Sequence, residues 1–148
     1  MAEILMSDDA IGRLLQATRT IAVVGASPKP ERPSFGVMAA LQRAGYKIIP
    51  VNPGVAGQTI LGETVVATLG EIGQPIDMVD VFRREEDTPE VARQAVAAGA
   101  RFLWLQLGIA NDQAARIATE GGLDVVMDRC TAIEIGRLHR GGLGGNPV

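Results

Sequence analysis

Thr20-Ile-Ala-Val-Val-Gly-Ala-Ser-Pro-Lys-Pro-Glu-Arg-Pro-Ser34 is the stretch that decides the fold. Thr20–Val24 is a compact apolar run stopped by Gly25, the pattern of a strand buried on both faces. Residues 25–33 hold Pro28, Pro30 and Pro33 and cannot be helix. Ser34 is the expected N-cap of a following helix that runs to about Ala44 and ends at Gly45. One strand, one proline-rich loop and one helix therefore form a single unit.

The same grammar repeats on either side. Upstream, Asp8 to Thr18 reads as an amphipathic helix, with Ile11, Leu14 and Leu15 on one face and Ser7, Asp8 and Asp9 as cap candidates. Downstream, Lys47–Val51 is a second strand, and Asn52-Pro53-Gly54 is turn chemistry. Residues 55–68 read as irregular, with a short helix at Leu69 to Ile72. Ile76–Phe82 is a third strand. Thr88 to Ala98 is a helix, with Thr88 as cap, Pro89 at its first position and Gly99 as stop. Arg101–Leu105 is a fourth strand, Asn111 to Glu120 a helix capped by Asn111, Leu123–Met127 a fifth strand and Thr131 to Leu138 a last helix. Five strands alternating with helices predict an α/β fold: a single Rossmann-like, doubly wound domain over residues 1–140, with a five-stranded, mostly parallel sheet and helices on both faces. Residues 141–148 are expected to be a flexible Gly-rich tail.

Composition fits this reading. The 148 residues are 47% apolar and 21% charged, ordinary for a globular chain of this length. Net charge is −3, with 14 basic and 17 acidic residues, so no general attraction to nucleic acid or acidic membranes is expected. Aromatics are 3%, too few for a base-stacking platform. Cys130 is the sole cysteine and His139 the sole histidine, which excludes a Cys/His zinc cluster and an intrachain disulfide. No secretory leader or membrane span is expected, so a cytoplasmic location is the default.

Parallel sheets of this kind bind ligands at the carboxyl ends of their strands, near the switch in strand order. The loop after strand one is the strongest candidate. Gly25 lets the backbone turn sharply, and the next helix offers free N–H groups and a partial positive charge that suit a phosphate. Ser27, Ser34, Lys29 and Arg32 add donors at the same edge. The loop is not a dinucleotide fingerprint, because Ser27 and Pro30 stand where glycines would be needed, and no Gly-Lys-Ser/Thr follows as in a P-loop. After strand two an NAD site usually carries an acid, and Asn52 stands there instead. That favours a ligand with a phosphorylated ribose, such as NADP or coenzyme A. The plainer reading, a simple Asn-Pro-Gly turn, stays open.

Arg83 and Arg84 after strand three either reach a ligand or pair with Glu85, Glu86 or Asp87. Gln106 and Gly108 follow strand four, the glycine permitting close backbone approach. Cys130 follows strand five at the N-terminus of a helix, an environment suited to thiol chemistry or simply to a small packed residue. Glu134 is positioned to accept from Arg129 or from the crevice. No acid–base pair, Ser–His–Asp arrangement or metal-ligand spacing stands out, so the catalytic and metal sets are empty. The residues read as a binding fold with a phosphate cradle.

Five motifs in order carry a resemblance: Ile21 to Ser27, Tyr46 to Pro53, Val79 to Arg83, Trp104 to Ile109 and Val126 to Cys130. Over about residues 10–138 the chain resembles the stand-alone CoA-binding-domain proteins of the YccU type. It is also similar to the CoA-binding domain of the succinyl-CoA synthetase alpha subunit and of ADP-forming acyl-CoA synthetases. The resemblance implies coenzyme A along the carboxyl edge of the sheet. Gly25, Ala26 and Ser27 would face the pyrophosphate, with Arg32 and Ser34 closing over the phosphates. Asn52 and Pro53 would lie beside the adenosine, and Phe82 and Arg83 would flank the nucleotide. Gln106 and Gly108 would line the path of the pantetheine toward Cys130.

The synthetases need a phosphohistidine and an ATP-grasp partner, and His139 stands outside any such segment. The implied role is therefore a carrier, sensor or thiol-protecting module for CoA or an acyl-CoA. An NAD(H)-binding redox regulator and a CoA-binding synthetase subunit stay open as alternatives. A homodimer and an ATP-grasp partner chain stay open as partners.

Overall fold

In the computed structural model, which describes residues 2–139 (the His139 side chain excepted), the five apolar runs pair into one sheet. The strands in chain order are β1 (Thr20–Val24), β2 (Lys47–Val51), β3 (Thr59–Ile60), β4 (Glu63–Thr64), β5 (Met78–Val81), β6 (Phe102–Leu105) and β7 (Asp124–Val126). The large sheet has the order β2-β1-β5-β6-β7, and every pairing in it is parallel. Val24 stands level with Val51 on one side and Val81 on the other, and Val81 with Leu105, so the carboxyl ends of four strands finish together. The strand order reverses between β1 and β5, which makes that edge the topological switch point. The Gly-rich tail expected at 141–148 lies outside the described residues.

Among the described residues five α-helices cover both faces: α1 (Asp8–Ala17), α2 (Pro33–Arg43), α3 (Thr88–Ala97), α4 (Asp112–Glu120) and α5 (Thr131–His139). Strand alternation sorts the core into two layers. Ile21, Val23, Met78 and Trp104 pack toward α1, α2 and α5, against Ile11, Leu15, Met38 and Ile135. Ala22, Val24, Val79, Val81 and Leu103 pack toward α3 and α4, against Val91, Ala92, Ala95, Ala114 and Ala118. This is the expected Rossmann-like, doubly wound architecture. Ser7 caps α1, its Oγ accepting from the Ala10 N–H, and Asn111 caps α4 through the Ala114 N–H.

Four local expectations change. Ser34 is not the N-cap of α2. Pro33, whose ring fixes a helical φ, starts the helix two residues earlier, so Arg32 is the cap and Ser34 lies buried in the first turn. Thr88 is not the cap of α3 either. A 3-10 turn, Glu85–Asp87, runs directly into the helix, and the Thr88 hydroxyl donates back to the Glu85 carbonyl at 2.7 Å.

Residues 55–68 are not wholly irregular. β3 and β4 form a small antiparallel hairpin around Leu61 and Gly62, whose φ values of 50° and 84° are those of a tight turn. The far edge of the sheet is also longer than the sequence indicated. Ile4 bridges Val125 in parallel, the Leu5 N–H donates to the Val125 carbonyl, and the Val125 N–H donates to the Glu3 carbonyl.

Candidate functional site

The loop from β1 to α2 is held from three directions. The N–H groups of Gly25 and Ala26 both donate to the Val51 carbonyl, prolonging the β1–β2 ladder past its end. The Ser27 N–H donates to Ser34 Oγ at 3.1 Å, and Ser27 Oγ accepts from the Lys29 N–H. Asn52 clamps the loop from β2: its Oδ1 accepts from the Gly54 N–H and its Nδ2 donates to the Ala26 carbonyl, each at 2.8 Å. The backbone partners fix which end of the amide is which. Asn52→Asp keeps the acceptor and removes the donor, leaving the Ala26 carbonyl facing a carboxylate. A loss of about 1–3 kcal/mol is expected in chemical denaturation.

Gly25 itself has φ +89°, and a Cβ there would stand 2.5 Å from the Phe82 carbonyl oxygen. The glycine is what lets the first loop press against the backbone that leaves β5.

Between these two loops opens a cleft of about 580 Å³. Eight of the twelve expected positions line it: Gly25, Ser27, Arg32, Ser34, Phe82, Arg83, Gln106 and Cys130. The other four do not reach its surface. Ala26 is fully buried against the core, Asn52 spends its amide on the loop, Pro53 lies exposed in the turn beyond it, and Gly108 is exposed, with its N–H donating to Asp128 Oδ1. Pro33, Leu107 and Ile109, which fall within the strand-end segments 25–34 and 106–111 where the ligand edge is expected, also line it, and sequence reasoning missed Val37 of α2 and Ile133 of α5. Only packing could show which faces of those helices turn toward the opening.

The charges divide clearly. Arg83 donates to Asp87 at 3.2 Å, and Arg84 pairs with Glu86 and Asp87, so these two cations are already partly matched. Arg32 and Lys29 are exposed and make no ion pair among the described residues. The N-terminus of the 11-residue α2 adds its partial positive charge at the same place. This end of the cleft offers unneutralised donors suited to a phosphate group.

Beneath the opposite wall lies a network that the strand pattern concealed. Asp80, fully buried in the middle of β5, meets the Thr131 hydroxyl at 3.0 Å, and that oxygen lies 3.0 Å from Gln106 Oε1. The Thr131 N–H also donates to Gln106 Oε1. Burial pushes the Asp80 carboxyl up to about 8, against the opposing effect of the Thr131 hydrogen bond. Protonated, Asp80 donates its carboxyl proton to the Thr131 oxygen, which leaves the one hydroxyl proton of Thr131 free to go to Gln106 Oε1. The chain of bonds orients Gln106 at the cleft floor. An acid inside Met78-Val-Asp-Val81 was the available signal.

Glu134 accepts from Arg129 and, at 2.8 Å, from Arg137, so it is engaged within the fold. Cys130 directly precedes α5, its carbonyl accepting from the Glu134 N–H. Among the described residues there is no group of three or more His, Cys, Asp or Glu side chains able to hold a metal, and no helix long and apolar enough to cross a membrane.

The chain is similar to proteins of known sequence and structure over most of its length. The profile of the CoA binding domain family matches residues 19–136. The uncharacterized protein YneT of Bacillus subtilis is 44% identical over 123 residues, 83% of this chain and 90% of that protein. A hypothetical protein from Pyrococcus horikoshii is 37% identical with a TM-score of 0.86, the match covering 90% of this chain and 93% of that one. A dinucleotide-forming acetyl-coenzyme A synthetase from Ca. Korarchaeum cryptofilum shares the fold alone, at 22% identity and a TM-score of 0.66, over 76% of this chain and 27% of its own. With the family profile spanning everything from β1 into α5, the chain belongs to the CoA-binding domain family.

Proposed function

We propose that this chain binds coenzyme A or an acyl-CoA in the cleft at the β1/β5 switch point, as a carrier, sensor or thiol-protecting module. The observation that carries this reading is the pair of unmatched cations, Arg32 and Lys29, beside the N-terminus of α2 in a chain of the CoA-binding domain family. The pyrophosphate would lie against Ser27, Arg32 and Ser34. The pantetheine arm would run past Phe82 and Gln106 toward Cys130. Asn52 supports CoA over NAD(H), because no carboxylate stands at the end of β2 to receive ribose hydroxyls.

A second reading has its own support. This chain matches only 27% of the acetyl-CoA synthetase chain, so a separate ATP-grasp protein could supply the remaining chemistry. Co-purification with such a chain, and thioester formation only when both are present, would favour it.

The test is a thermal-shift series with CoA, acetyl-CoA, NAD, NADH, NADP and ATP. A ligand at a hundred times its dissociation constant stabilises the folded state by about 2.7 kcal/mol, a shift of several degrees. A shift confined to CoA and acetyl-CoA is expected. A shift with NADH alone would replace this reading with a redox regulator, and no shift at all would refute binding by the isolated chain. Arg32→Ala is expected to weaken CoA binding by about 1–3 kcal/mol. Its Tm without ligand should stay where it is, because the side chain is exposed and makes no ion pair among the described residues.

A further inference from the structure

A second cavity, of about 500 Å³, opens beside the cleft and shares three of its residues, Leu107, Cys130 and Ile133. Its opposite wall is the N-terminal segment Ile4-Leu5-Met6, held to the edge of β7 by backbone bonds to Val125. The large hydrophobic side chains exposed among the described residues are Ile4 (43%), Met6 (75%), Leu107 (62%) and Ile133 (54%), and all four line this cavity. Isolated exposed apolar residues need no explanation, but a set gathered around one hollow marks a binding surface.

The charged side chains that line the cavity, Asp128, Arg129 and Glu134, each already have a hydrogen-bond partner. Asp128 accepts from the Gly108 N–H at 2.7 Å, and Arg129 donates to Glu134 and to the Met6 carbonyl. The larger part of the surface facing the hollow is apolar. Its volume lies within the usual range for small-molecule pockets.

We infer that this second cavity receives the acyl chain of a bound acyl-CoA, with the thioester lying at the seam marked by Cys130. The inference rests on the CoA reading of the first cleft and specifies its ligand: a thioester of an apolar, medium-length acid rather than free CoA. The shared residues decide the occupant, because a pantetheine arm that reaches Cys130 delivers its acyl group directly between Leu107 and Ile133.

Isothermal titration with CoA, acetyl-CoA, butyryl-CoA, hexanoyl-CoA and octanoyl-CoA tests it. Affinity is expected to rise with chain length by up to about fourfold per buried methylene, leaving octanoyl-CoA at least roughly tenfold tighter than acetyl-CoA. Met6→Glu and Ile133→Glu change exposed side chains, so both variants are expected to fold, and in both the ratio of octanoyl-CoA to CoA affinity should fall toward one. CoA binding with an affinity that is flat or declines with chain length would overturn this inference and leave the CoA reading standing. No binding of any thioester or of CoA would overturn both. A flat series together with a concentration-dependent dimer that Met6→Glu abolishes would assign the face to a second copy of the chain, again against the acyl site.

Discussion

Gly25→Ala is expected to unfold about 10 °C below the parent chain, a loss of about 3 kcal/mol, and to bind CoA far more weakly. Two costs add. Position 25 has φ +89°, where a residue with a Cβ is strained. The new carbon would also stand 2.5 Å from the Phe82 carbonyl oxygen and 3.2 Å from Arg83 Cδ. The nearest obstacle is backbone at the end of β5, which cannot rotate away as a side chain can. Relief must come from separating the two loops that bound the cleft, so stability and binding are lost together. Gly36→Ala is the matched control: it lies within α2, and an added Cβ meets nothing within 4 Å. That variant is expected to gain about 0.5–1 kcal/mol from helix propensity. Thermal melts of both proteins, with and without CoA, check the pair, and an unchanged melt for Gly25→Ala would show that the contact of the two loops is not required.

The second large effect is one of pH. Asp80 is fully buried, its Oδ1 has no partner among the described residues, and burial raises its carboxyl from an ordinary 3.8 to about 8. Between those values the folded chain holds a proton that the unfolded chain has released. The stability that Asp80 contributes is therefore fully present below about pH 4 and is lost as pH rises through 8. The slope approaches about 1.4 kcal/mol per pH unit, so several kcal/mol separate pH 5 from pH 8. Asp77 works the other way. Its own burial raises its carboxyl, but the Thr20 and Arg19 N–H groups and Arg101 more than offset that, so its contribution is lost only on acidification below the usual carboxylate range.

Asp80→Asn removes the titration while keeping a donor for Thr131. Urea denaturation across pH 5–8 should show a falling stability for the parent chain and a much flatter line for the variant, which becomes the more stable of the two at the alkaline end. Parallel lines would mean that Asp80 is ionised in the folded state. Because Thr131 passes the bond on to Gln106, the same series with CoA present should show binding weakening above pH 8 in the parent chain only.

The doubly wound sheet was legible because each strand is a short apolar run ended by a glycine or a polar turn, and each helix carries its own cap or stop. Such signals are local: β-branched residues favour the pleat, prolines keep helix out of 28–32, and Asn111 caps the helix beside it. Positions at strand ends were legible for the same reason, since a parallel sheet brings all its carboxyl ends to one edge. Eight of the twelve residues expected from strand ends together with the family resemblance line the cleft.

What misled was competition between neighbouring start signals. Ser34 and Thr88 are good caps, but Pro33 and the 3-10 turn before Thr88 set the helix starts first. The edge pairing of Ile4, the exclusion of Ala26 from the cleft, the hold of Asn52 on the first loop and the Asp80–Thr131–Gln106 chain all join residues far apart in sequence. Periodicity and capping report on neighbours within a turn or a strand. Which apolar side chains are buried and which gather around an open cavity, and whether an acid in a strand is paired or orphaned, depends on what other elements place against it, and only the tertiary structure decides that.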